Sequence, residues 1–142
     1  MSAIARLAVI LSLIALNLSC ASTPGPLVLS LYTGLGPVTL TVLDATGLVL
    51  GVRQGVHPDP STDVVARAHP ERREIEIGWM GGLCRRNPVL HVTRSGDRID
   101  LLIRPDAGPE EPGGCRLVGI TLGVVLTVDV PIAQDALRLT GG

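Results

Sequence analysis

From Ile120 to Val130 the chain reads Ile-Thr-Leu-Gly-Val-Val-Leu-Thr-Val-Asp-Val, with apolar residues recurring at every second position. A period of two is the repeat of a strand with one buried face, and a helix would scatter these residues around its axis. Leu122, Val124, Leu126, Val128 and Val130 therefore face one way. Thr121, Gly123, Val125, Thr127 and Asp129 face the other, and Asp129 turns that face toward solvent. The same period, the aspartate and the β-branching argue against a membrane-spanning helix here.

The alternation recurs in Val38–Val42, Glu74–Trp79, Leu90–Thr93 and Ile99–Ile103, each of strand length. Turn residues separate these runs: Asp44-Ala-Thr-Gly47, His69-Pro-Glu-Arg72 and Ser95-Gly-Asp97, and such short separations predict antiparallel hairpins. With Leu27–Tyr32, Leu48–Arg53, Val64–Ala68 and Leu137–Thr140 the count reaches about nine short strands, the spacing of an all-β sandwich or a small barrel. The expected fold is an antiparallel β-sandwich, with the barrel as the alternative. Trp79 and Tyr32 are the only aromatic residues, so the core must be made of Leu, Val and Ile.

The first residues read differently. Arg6 supplies a positive charge, Leu7–Leu18 is an almost unbroken apolar run, and Ser19-Cys20-Ala21-Ser22 offers small residues for cleavage. That is the pattern of a secretory signal, and an apolar run of about 12 residues is too short to span a bilayer as a helix. Leu16-Asn17-Leu18-Ser19-Cys20 resembles a bacterial lipoprotein signal, in which the Cys is acylated and becomes the first residue; Asn17 departs from the usual aliphatic residue. The competing reading cuts after Ala21. Residues 1–21 are thus read as signal, 22–26 as linker around Thr23-Pro24-Gly25-Pro26, and 27–142 as one domain.

Removing or lipidating Cys20 leaves Cys84 and Cys115. In an oxidising compartment two cysteines pair completely, and closing a loop of roughly 30 residues is worth about 3.7 kcal/mol in the chain-entropy model. A thiolate metal site would need two further ligands, and none stands at recognisable spacing. All twelve basic residues are Arg and the formal net charge is −1. No basic footprint for nucleic acid exists.

Catalytic patterns are missing too. His57, His69 and His91 show no metal spacing, and no serine lies in a Gly-x-Ser-x-Gly elbow. Glu74 and Glu76 read as an ordinary exposed strand edge, His91 as a solvent-facing residue, and the proline-rich loops Val56–Thr62 and Pro105–Gly114 as the most mobile segments. Carboxylates Asp106, Glu110 and Glu111 share a Gly-rich loop without EF-hand spacing. No cofactor is expected.

The most individual segment is Trp79-Met-Gly-Gly-Leu-Cys84-Arg-Arg-Asn87, in which Gly81-Gly82 permits a positive φ. The order Trp-x-Gly-Gly-x-Cys, a hairpin, a Gly-rich loop with the second Cys, and a long alternating strand resembles small exported bacterial β-proteins, often lipoproteins, of unknown function. The resemblance spans Glu74 to Thr140 and implies fold and location, with no activity attached.

A Cys84–Cys115 bridge would gather Arg85, Arg86 and Arg116 at one end of the domain. Beside Trp79 or Met80 they would form a contact patch for an anionic group or partner protein, since Arg and Trp are favoured anchors. Alternatively these arginines pair with Glu110 and Glu111 and Trp79 belongs to the core. The expectation for function is a non-enzymatic binding module of the bacterial envelope, recognising an envelope protein or a glycan and touching the membrane only through an N-terminal lipid. The alternative is a structural or accessory subunit of an envelope assembly.

Overall fold

The computed structural model describes residues 25–82, 87–104 and 119–141. They form nine strands: β1 (Leu27–Thr33), β2 (Gly36–Asp44), β3 (Val49–Gln54), β4 (Val64–His69), β5 (Glu74–Gly82), β6 (Val89–Ser95), β7 (Arg98–Arg104), β8 (Gly119–Val128) and β9 (Leu137–Gly141). Two sheets result, in the orders β1-β2-β6-β7-β9 and β3-β8-β5-β4. Both sheets have open ends, so the barrel alternative is excluded.

Alternation decides which side of each strand is buried. Leu31, Leu40, Leu90 and Leu101 from the first sheet and Ile75, Ile77, Trp79, Val124 and Leu126 from the second belong to one aliphatic core cluster. Each such side chain contributes about 1.5–3 kcal/mol when removed from water. The β8 register follows the sequence pattern through Val128; Asp129 and Val130 already lie in the following bend.

The expectation of purely antiparallel pairing is corrected at two places, because β2 pairs with β6 and β7 with β9 in parallel. Strands separated by an even number of reversals run the same way, as β2 and β6 do and as β7 and β9 do. Hairpin logic sees only sequential neighbours. Here β3, β4 and β5 leave for the second sheet before β6 returns beside β2.

Turn chemistry explains the sequential reversals. The Asp44 carboxylate accepts from the Thr46 amide at 2.9 Å, the Thr46 hydroxyl at 2.6 Å and the Val49 amide at 2.7 Å, with Gly47 at φ 69°. This is an Asx-type turn in which a side chain replaces backbone partners. Between β4 and β5, Pro70–Arg72 forms a 3-10 turn closed by Arg73 in the left-handed region. Gly81 has no positive φ and simply extends β5, where Leu122 Cδ1 leaves it little room for a side chain.

Two glutamines cover strand edges. Gln54 accepts from the Tyr32 amide at 3.0 Å and donates to the Tyr32 carbonyl at 2.8 Å. Gln134 accepts from the Ala68 amide at 2.7 Å and donates to the Ala66 carbonyl at 3.1 Å. Each primary amide stands in for a short length of neighbouring strand, at β1 and at β4.

Candidate functional site

The outward face of the second sheet carries the most unusual chemistry among the described residues. Gly78 on β5 and Gly123 on β8 are register partners, and both belong to the outward-facing series. Two glycines side by side leave a dimple in the sheet, and the segment from Gly55 to Asp63 is strapped across it. The strap is tied at one end by the Gly55 amide to the Gly123 carbonyl at 2.9 Å, and at the other by the Met80 amide to the Asp63 carbonyl at 2.8 Å.

His57 fills the dimple. It is only 4 % exposed, the one buried polar residue among those described. A methyl group on Gly78 would stand 2.5 Å from the imidazole ring, and one on Gly123 would overlap the Val56 carbonyl carbon and the His57 nitrogen. Within Val56–Thr62, expected as one of the most mobile segments, His57 is seated against the sheet while its neighbour Val56 stays exposed. Val125 is buried although it faces outward, and a methyl group on Gly55 would stand 2.9 Å from its Cγ2.

Nδ1 of His57 accepts a hydrogen bond from the Asp59 amide at 3.2 Å, which puts the proton of a neutral ring on Nε2. Nε2 is buried without a hydrogen-bond partner. Asp59 in turn accepts from the Ser61 hydroxyl at 2.5 Å and the Ser61 amide at 3.1 Å. These bonds hold its carboxyl below the ordinary aspartate range, with Arg67 and His57 adding a weaker Coulombic pull.

Shallow clefts flank the imidazole. One is lined by Tyr32, Gln54, Val56, Pro60 and Thr121; the other by Arg53, Arg67, Arg72, Glu74 and Glu76. In the second, Arg53 pairs with Glu74 at 3.0 Å, while Arg72 reaches Glu74 at 3.3 Å and Glu76 at 3.5 Å. His69 Nε2 stands 3.1 Å from Glu76, outside hydrogen-bond alignment. Glu74 and Glu76 are therefore not an idle exposed edge: β5 lies between β8 and β4, and both carboxylates are paired. Exposed pairs of this kind contribute about 0–1 kcal/mol each, so the network organises charge more than it stabilises.

Chemically this face sets a buried imidazole between a polar cleft and a row of ion pairs. A buried imidazole whose Nδ1 is already an acceptor is poorly placed to take a proton from substrate. No group of three or more metal-ligating side chains occurs among the described residues.

Of the residues singled out by sequence, Trp79 is 4 % exposed and belongs to the core, which corrects its reading as a surface anchor. Its neighbour Met80 points outward and is exposed. Cys20, Cys84, Arg85, Arg86, Cys115 and Arg116 lie outside the described residues, as do Asp106, Glu110 and Glu111. His91 is half-buried on the outward face of the first sheet, beside Thr93, Asp100 and Thr140.

No family model, curated protein or solved structure matches the chain. The His57 dimple escaped sequence reasoning, although a signal was present: Gly78 and Gly123 both interrupt strand interiors, and such glycines often mark a close backbone approach.

Proposed function

We propose that the chain is an exported β-sandwich that serves as a non-enzymatic binding module of the bacterial cell envelope, tethered through an acylated Cys20 or released after cleavage behind Ala21. One observation carries this reading. The β1–β2 turn, the Gly55–Asp63 strap and the strand ends that lead into residues 83–86 and 105–118 lie at the same end of a two-sheet frame. Recognition residues commonly occupy such clustered connections on a rigid scaffold.

The register supports the Cys84–Cys115 bridge. Gly82 and Gly119 are partners across β5 and β8, with Cys84 two residues beyond one and Cys115 four residues before the other. At about 3.3–3.6 Å per residue those lengths of chain can meet. Arg85, Arg86 and Arg116 would then gather cations at this end for an anionic glycan or an acidic partner protein, away from the ion pairs of Glu74 and Glu76, which sit toward the β4–β5 turn.

Intact-mass measurement on protein from the membrane fraction tests the location: a chain beginning at acylated Cys20 is expected, released from the membrane by Cys20→Ala. A cytoplasmic chain retaining Met1 overturns export. Joint replacement of Arg85 and Arg86 by Ala should leave the melting temperature unchanged and abolish crosslinking to envelope components. Unchanged crosslinking removes this surface from the reading.

The accessory-subunit reading has an observation of its own in β1, an edge strand without a charged residue.

A further inference from the structure

The four edge strands of the two sheets are not equally protected. β4 carries Arg67 and His69 and is clamped by Gln134; β3 carries Arg53 and a register shift between Val49 and Gly51; β9 carries Arg138. Charges, bulges and covering side chains are the usual means of blocking an edge. β1, Leu-Val-Leu-Ser-Leu-Tyr-Thr, has no charge, no proline and no bulge in its pairing with β2.

Its open length can be read from one hydrogen-bonded residue. Both the N–H and the C=O of Tyr32 point away from β2, because Gln54 binds both. In an antiparallel ladder alternate residues direct their backbone groups to the same side. Ser30 and Val28 therefore present their N–H and C=O groups outward as well, and no partner meets them among the described residues. Both residues are exposed, Val28 by 63 %. The open stretch stops at Tyr32, which Gln54 occupies, and at Pro26, which has no N–H.

We propose that this edge is a self-association surface, taking β1 of a second copy in antiparallel register about a two-fold axis at Leu29. In that register Val28 lies opposite Ser30 of the other copy and Ser30 opposite its Val28. The open N–H and C=O groups of both residues are all satisfied. Pro26, which cannot donate, falls opposite Tyr32, whose groups are already engaged. The two ends of the open stretch thus meet one another and leave no donor unpaired.

Side chains fit the same register. Leu29, half-buried in the monomer, meets its own symmetry mate on the core side. Val28 comes within diagonal reach of the partner copy's Tyr32, which is 76 % exposed in the monomer, an aromatic against a β-branched residue. No like charges oppose across the axis. A partner strand of any other protein would have to match the Pro26 and Gln54 limits by coincidence, whereas a second copy matches them by symmetry. The short contact makes the dimer weak and concentration-dependent.

Sedimentation analysis of the mature protein from low micromolar to millimolar concentration, in density-matched detergent if it carries a lipid, should show a reversible monomer–dimer equilibrium. Val28→Lys/Ser30→Lys should raise the dissociation constant by roughly tenfold or more, as like charges directly opposite in a sheet repel. Val28→Glu/Ser30→Glu should do the same. Both variants alter exposed side chains only, so thermal melts should match the parent and report folding separately. An equimolar mixture of the two variants should recover association as a heterodimer. A chain that stays monomeric at millimolar concentration, or a lysine variant that dimerises like the parent, overturns the proposal.

Discussion

Gly78 and Gly123 show how two hydrogen atoms in place of side chains shape a surface. Side by side on β5 and β8, they admit an imidazole where any larger residue would push the strap away. The two positions differ in what they would strike. Ala at Gly78 meets the ring of His57, which a second substitution can remove; Ala at Gly123 meets the backbone of Val56 and His57, which cannot be removed. Gly123→Ala is therefore expected to destabilise by about 1–3 kcal/mol, in the range of an overpacked site, and to speed proteolysis within Gly55–Asp63. His57→Ala should relieve much of the penalty of Gly78→Ala and little of that of Gly123→Ala, a coupling that a double-mutant cycle in urea denaturation measures. Gly51→Ala, with open space around it, serves as control. Equal rescue at both sites would show that the ring is not what fills the dimple.

At the scale of elements, the nine strands were legible because each repeats apolar and polar residues over a span too short for a helix, and because Asp44, Gly47 and Gly96 announce their turns. Pairing was not legible beyond neighbours. Which strand lies beside β2 depends on where three intervening strands go, and no local pattern in β6 states it. Nor did sequence identify the two glutamine clamps, since Gln134 is 66 and 68 residues away from the backbone groups it binds. Gln134→Ala leaves the Ala68 amide and Ala66 carbonyl to water and should cost about 1–2 kcal/mol, the net worth of two such bonds. Exchange of the Ala68 amide, followed by NMR, should accelerate while amides in β8 hold their protection. An unchanged Ala68 rate would mean that the clamp contributes nothing to the edge.

For the molecule as a whole, the expected staple and the observed register bear on one another. Antiparallel pairing of β5 with β8 brings together the strand ends from which Cys84 and Cys115 follow and precede. Thiol titration of the unfolded, unreduced mature protein should detect no free Cys84 or Cys115, and Cys84→Ala should cost about 2–5 kcal/mol, as loss of a native bridge in a small secreted domain does. Two titratable thiols would remove the staple. The division of labour between chain and fold follows from the range of the forces involved. Alternation and turn residues act between neighbours, so they specified strands, turns and an aliphatic core before any contact was known. The parallel pairs, the burial of His57 and the open edge of β1 depend on residues far apart in the chain meeting in space. Only the packed sheets decide those, because a dimple needs two strands and an edge is defined by the neighbour it lacks.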